Sequence, residues 1–180
     1  MVKNRFLRIV ATIVACLAVT TIFSTCIKRE DNQHGVEQYV KLLEANKYES
    51  TGFPAFTHED IDDLLKYRNE KKMITKYPRN PISSFAQGEC KLGIIILWTV
   101  EAIRTGTINS GSWVGSFPSQ NPILKLRDFS EGLVFVDDEK AHRVASNAYY
   151  DWWKSRLASS ASFNAFMQID PLKDTKYAWH

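Results

Sequence analysis

The chain has 180 residues, enough for a single domain, and 44% of them are apolar and 12% aromatic, so it carries the side chains of a packed core and is no disordered polymer. Of its 23 basic side chains, Lys3, Arg5 and Arg8 lie in an acid-free N-terminal stretch, which leaves 20 to balance the 20 acidic ones. A neutral domain with no basic helix face lacks the electrostatic footprint of a nucleic-acid binder.

Residues 1–25 read as a signal peptide. Lys3, Arg5 and Arg8 form its basic start, Ile9 to Phe23 its apolar stretch, and Ser24 and Thr25 its small-residue end. The alternatives are an uncleaved signal anchor and plain secretion. Phe23-Ser24-Thr25-Cys26 resembles a relaxed bacterial lipobox, which implies cleavage before Cys26 and lipidation of its thiol. Lys28-Arg29-Glu30-Asp31 resembles the charged export signal of surface lipoproteins of Bacteroidota. Each buried methylene of a lipid chain contributes about 0.8 kcal/mol, and more than one chain is needed for stable anchoring. Residues 26–35 are then a lipidated polar tether and residues 36–180 the domain.

Val36, Tyr39, Val40 and Leu43 recur at i, i+3, i+4 and i+7 and predict a first helix over residues 36–47. Gly52 and Pro54 end it. Thr57 with Asp60 resembles a capping box ahead of a second helix, with Ile61, Leu64 and Leu65 inward and Asp62 paired to Lys66. Ser84 with Gln87 is a second such box. The stretch from Cys90 to Arg104 is apolar on nearly every side from Leu92 to Val100, which predicts a fully enclosed central helix beginning at Cys90. It is too short, and too charged at its flanks, to span a bilayer.

Thr105 to Ser119 reads as loop. Asn121-Pro122 fits a helix start, with a short helix to about Asp128. Leu133 to Val136 is a brief strand or extended loop. Asp137-Asp138-Glu139 opens a long helix ending near Leu157, where acid complements the helix dipole. Phe163 and Phe166 mark a last short helix, and Ile169 to His180 an irregular tail pinned by aromatics. Asn80-Pro81-Ile82 and Asn121-Pro122-Ile123 echo each other 41 residues apart. That period suits two-helix repeats of the HEAT kind, although Asn-Pro is also simply a good helix start.

The stretch from Tyr39 to Arg104, with Pro54-Ala55-Phe56, Asn80-Pro81-Ile82-Ser83-Ser84, Cys90-Lys91-Leu92-Gly93 and Leu97-Trp98-Thr99-Val100-Glu101, resembles a family of uncharacterised small lipoproteins of Bacteroidota. Phe117-Pro118-Ser119, Tyr149-Tyr150-Asp151-Trp152-Trp153 and Asp170-Pro171-Leu172 fit the same family. The resemblance implies a helical domain and carries no activity. Pattern and resemblance together predict an all-α fold packed around the central helix.

Signals for chemistry are sparse. His34, His58, His142 and His180 are scattered and no cysteines are paired, so neither a metal site nor another cofactor is expected. Cys90 with His142 is a conceivable nucleophile and base, but an apolar setting raises a thiol pKa, the wrong direction. Glu59, Asp60, Asp62, Asp63 and Glu101 are the candidate carboxylates for hydrolysis, and a solvated helix start is their plainer role. The four aromatics Tyr149, Tyr150, Trp152 and Trp153 cannot share one narrow stripe, since neighbours on a helix point about 100° apart. Tyr150 and Trp153, with Trp113 and Phe117 of the loop, are the candidate binding surface; the plainer reading of the helix aromatics is that outer elements pack around them and cover them.

The expected protein is a non-enzymatic lipoprotein, anchored through Cys26 in the envelope at the outer membrane and facing the surface. Its expected partner is an envelope protein or a glycan, with no nucleic acid. The alternative is a small envelope hydrolase using acidic residues near the central helix. A purely structural envelope component is the third possibility.

Overall fold

The computed structural model describes residues 35–83, 88–109, 115–130 and 132–180. The residues expected to form the signal peptide, Cys26, the expected tether as far as residue 34 and the Ser84–Gln87 box lie outside the described residues.

The first helix, α1 (residues 35–44), buries the predicted Val36, Tyr39, Val40 and Leu43. It ends at Asn46, whose φ of 53° is left-handed and whose carboxamide oxygen accepts the N–H of Thr75 at 2.6 Å. The Thr57 box is formed: Asp60 Oδ2 accepts the Thr57 N–H at 2.7 Å, while the Thr57 hydroxyl accepts from the Glu59 N–H. It opens a 3-10 turn, His58–Asp60, then α2 (Ile61–Leu64), and a second 3-10 turn, Leu65–Tyr67. Lys66 pairs with Asp63 and not with the expected Asp62, which is held instead by Arg156 and Lys154.

The centre is α3 (Leu92–Arg104), in which every residue from Leu92 to Ile103 is buried. Such a helix has no outward face, so the other elements must wrap it, and α2, the Leu65–Tyr67 turn and α4 (Glu139–Ser155) all pack on it. At the start of α4 the Asp138 carboxylate accepts the Ala141 N–H at 2.7 Å, as the acidic run predicts. The last helix is α5 (Phe163–Met167), capped by Ser162.

The fold is mixed α/β, which corrects the all-α expectation. Five short strands are present among the described residues: β1 (Met73–Ile74), β2 (Cys90–Lys91), β3 (Leu124–Leu126), β4 (Phe135–Val136) and β5 (Tyr177–Trp179). β1 and β2 form one antiparallel pair, with Met73 opposite Lys91. The other sheet has the order β4-β3-β5, with Leu124 opposite both Val136 and Trp179. Cys90 thus belongs to a strand that leads into α3 and does not begin the helix. The short helix expected after Asn121 is β3, and the irregular tail ends as β5. Both corrections have one cause: β3 finds partners on either side, and paired backbone outweighs a weak local helix signal.

HEAT-like repeats are likewise overturned, because the next described element after each Asn-Pro-Ile unit is a strand. The two units instead meet in space. Asn80 Nδ2 donates to Ser119 O at 3.2 Å, and Ser83 Oγ to Asn121 Oδ1 at 2.6 Å.

Candidate functional site

The aromatic residues nominated from the sequence do not form one surface. Phe117 is half-buried against Trp98, its ring centroid 5.4 Å away and nearly parallel, and lies 5.3 Å from Phe53. It covers the core over α3. Trp153 is buried among Trp152, Phe166 and the guanidinium of Arg156, 4.0 Å from its ring centre. That is a correction: Trp153 is core, because several elements pack over its side of α4. Tyr150 is exposed, but Arg68 sits 4.1 Å over its ring and Lys154 5.5 Å. Among the described residues these three share no partner. Trp113 lies outside the described residues, as does Cys26.

The acidic candidates are committed to structure. Asp60 is the buried capping carboxylate, Asp62 holds Arg156, and Asp63 holds Lys66. Glu101 lies inside, where both its oxygens receive Arg104 at 2.7 and 2.8 Å. Its Oε2 also accepts the Tyr149 hydroxyl at 2.6 Å, and that hydroxyl accepts the Trp179 indole N–H at 2.7 Å. Burial, and then the neighbouring Glu101, push the Tyr149 hydroxyl pKa well up. The network ties α3, α4 and β5 together with its polar groups satisfied. Glu59 stands exposed on the surface.

Cys90 and His142 are not a dyad. The Cys90 thiol points at Pro122 O, 3.6 Å away, and burial pushes its pKa up. His142 Nε2 lies 2.8 Å from Arg68 O, which can only accept, so Nε2 carries the proton. Burial lowers the His142 pKa, against the weaker effect of that hydrogen bond. Among the described residues no three His, Cys, Asp or Glu side chains gather as a metal site.

Among the described residues, one concavity with free recognition chemistry lies where three distant segments meet. Residues 56–58, the end of α3 with its following turn (residues 103–108), and α5 with Gln168 enclose about 410 Å³. That is within the size of small-ligand sites. Apolar walls come from Phe56, Ile103, Ile108, Phe163 and Met167. The Phe163 ring is 44% exposed and packs on His58 with centroids 4.7 Å apart. The carboxamides of Asn164 and Gln168 line the groove and carry no side-chain hydrogen bond among the described residues. Arg104 also lines it. Three of its five N–H groups serve Glu101 and Met167 O, and the other two have no partner among the described residues. No carboxylate lines the groove among the described residues.

A second groove, of about 450 Å³, is lined by Tyr48, Ser50, Thr75, Tyr77 and Arg79 among others. Its groups are more occupied: Tyr48 donates to Gly52 O, Arg79 donates to Thr75 O, and Arg79 lies over the buried Tyr77 ring. The first groove is therefore the candidate site. Its residues were not singled out as a site from the sequence. His58 and Phe163 are 105 positions apart, and only the fold brings them into contact.

A family model described as Domain of unknown function (DUF4943) matches residues 30–180, and the chain belongs to that family. No curated protein and no solved structure matches the chain.

Proposed function

We propose that this member of the family is an envelope lipoprotein whose domain binds a partner and does not catalyse a reaction. The leader supports export, and Cys26 with the charged Lys28–Asp31 run supports a lipid anchor at the outer membrane, facing the surface. The partner is an envelope protein or a glycan. The neutral charge of the domain argues against nucleic acid.

The observation that carries the binding reading is the groove at Phe163: a half-exposed aromatic residue and, among the described residues, two carboxamides without side-chain hydrogen bonds and no lining carboxylate. Asp60, Asp62, Asp63 and Glu101, on which a hydrolase would depend, are each engaged in capping or ion pairing. General acid-base work needs such groups converging on a cleft.

Anchoring is tested by feeding cells an alkyne fatty acid. Label on the full-length chain that Cys26→Ala abolishes supports the anchor, and an unlabelled wild type overturns it. Binding is tested by amide shifts of the full chain against soluble glycans and peptides. Shifts at residues 163–168 that Phe163→Ala suppresses support the module. Turnover of a fluorogenic substrate, lost on Glu101→Gln while the fold survives, would sink it in favour of a hydrolase.

A further inference from the structure

We infer that the groove over Phe163 takes an uncharged N-acetylated amino sugar. The inference rests on the binding-module reading and gives its ligand a class.

Charge comes first. Among the described residues Arg104 is the only charged side chain lining the groove, and its charge is already paired with Glu101 at 2.7 Å. The groove also lies at the carboxyl end of α3, the negative end of the helix dipole. A ligand anion reaching the two spare Arg104 N–H groups would gain the guanidinium and meet both the Glu101 carboxylate and the helix end. A neutral carbonyl gains the same donors without that opposition.

The other polar groups agree. Asn164 and Gln168 each offer a donor and an acceptor, the complement of a secondary amide. Ile108 and Met167 give an apolar shelf of the kind an acetyl methyl group needs. The open ring of Phe163 offers a face for sugar C–H groups.

A peptide also carries secondary amides, but an extended peptide is usually held along an exposed strand edge. Among the described residues no strand lines this groove: its walls are helix ends, turns and the short extended piece at Phe56 and Thr57. One aromatic face with one cluster of amide partners matches a single acylated ring better than a run of peptide bonds.

The test titrates the full-length 15N-labelled chain with tetra-N-acetylchitotetraose (chitotetraose), with cellotetraose, which carries hydroxyls in place of the acetamido groups, and with N-acetyl-trialanine amide. The expected result is saturable shifts of the Asn164 and Gln168 side-chain amides with chitotetraose. Cellotetraose should bind about tenfold more weakly, the loss of a hydrogen bond and a buried methyl group. Gln168→Ala, an exposed change that leaves the core untouched, should weaken chitotetraose about fivefold. Equal binding of both sugars, or binding of the peptide alone, overturns the inference and leaves the binding module standing. Absence of shifts at this groove with all three probes overturns the inference, and absence with every glycan and peptide of the wider screen as well overturns both.

Discussion

Gly93 on α3 approaches His142 on α4 so closely that a β-carbon at Gly93 would lie 2.5 Å from the imidazole Nε2. The same β-carbon would lie 2.5 Å from Arg68 O, the acceptor of that imidazole. Hydrogen at this position is what lets α3, α4 and the chain after α2 meet. Gly93→Ala must displace either backbone or a buried hydrogen-bonded ring, and is expected to cost about 3 kcal/mol or more. Gly52→Ala, where nothing lies within 4 Å, should stay within about 0.5 kcal/mol. Urea midpoints of the two variants check this. Equal midpoints would mean that the approach is not tight.

His142 makes stability depend on pH. Burial holds its pKa below the ordinary 6.5; Lys91 and Lys71 press the same way, while Arg68 O and Asp137 oppose. The folded state therefore binds this proton less readily than the unfolded chain. Stability is fully present above pH 6.5 and falls as pH drops through the lowered folded value. His142→Gln should flatten the urea midpoint between pH 7.5 and 5. His180 is lowered too, by burial and then Lys125, so His180→Gln is the comparison. If the wild-type midpoint is level over that range, the His142 account fails.

Tyr149 joins Glu101 to Trp179, and so joins the last strand to the central helix. Tyr149→Phe leaves the Trp179 indole N–H and one site on Glu101 Oε2 unserved. The expected cost is about 1–3 kcal/mol. Arg104→Met instead leaves Glu101 as a buried charge without its cation, with an expected loss of about 3–5 kcal/mol. Thermal unfolding of both variants, with Trp179→Phe to close a double-mutant cycle, separates the hydroxyl from the ion pair. Additivity of Tyr149→Phe and Trp179→Phe would show that the hydroxyl bridge carries no coupling.

Residues with strong local rules were readable in advance. The apolar run from Leu92 has no polar side, so burial follows from the sequence alone. Asp138 and Thr57 announce their helices because a cap is a contact within three residues. The strands were hidden for the opposite reason. Each is two or three residues long, too short for alternation to register, and Leu124 pairs with Trp179, 55 positions away. The groove is hidden in the same way. Phe163 and Phe166 both mark the last short helix in the sequence, yet Phe166 is buried and Phe163, at its first position, is exposed. Trp153 is covered because α5 packs over a face that the helix alone leaves open.

The last prediction concerns Cys90, the residue that would have to act if the domain were a thiol hydrolase. Its side chain is buried in β2 and lies against Pro122 O. Burial, with a smaller contribution from the Asp137 carboxylate, pushes the thiol pKa up, and Lys91 only partly offsets this. The thiolate is the reactive form, so the native thiol should be inert. Iodoacetamide at pH 7.5, followed by mass spectrometry of the peptide holding Cys90, should show labelling that tracks urea unfolding and is negligible below the transition. Cys90→Ala should leave glycan or peptide shifts at residues 163–168 unchanged, because Cys90 does not line that groove. Fast labelling of the folded chain would put an accessible thiolate beside Lys91 and Asp137 and reopen the question of catalysis there.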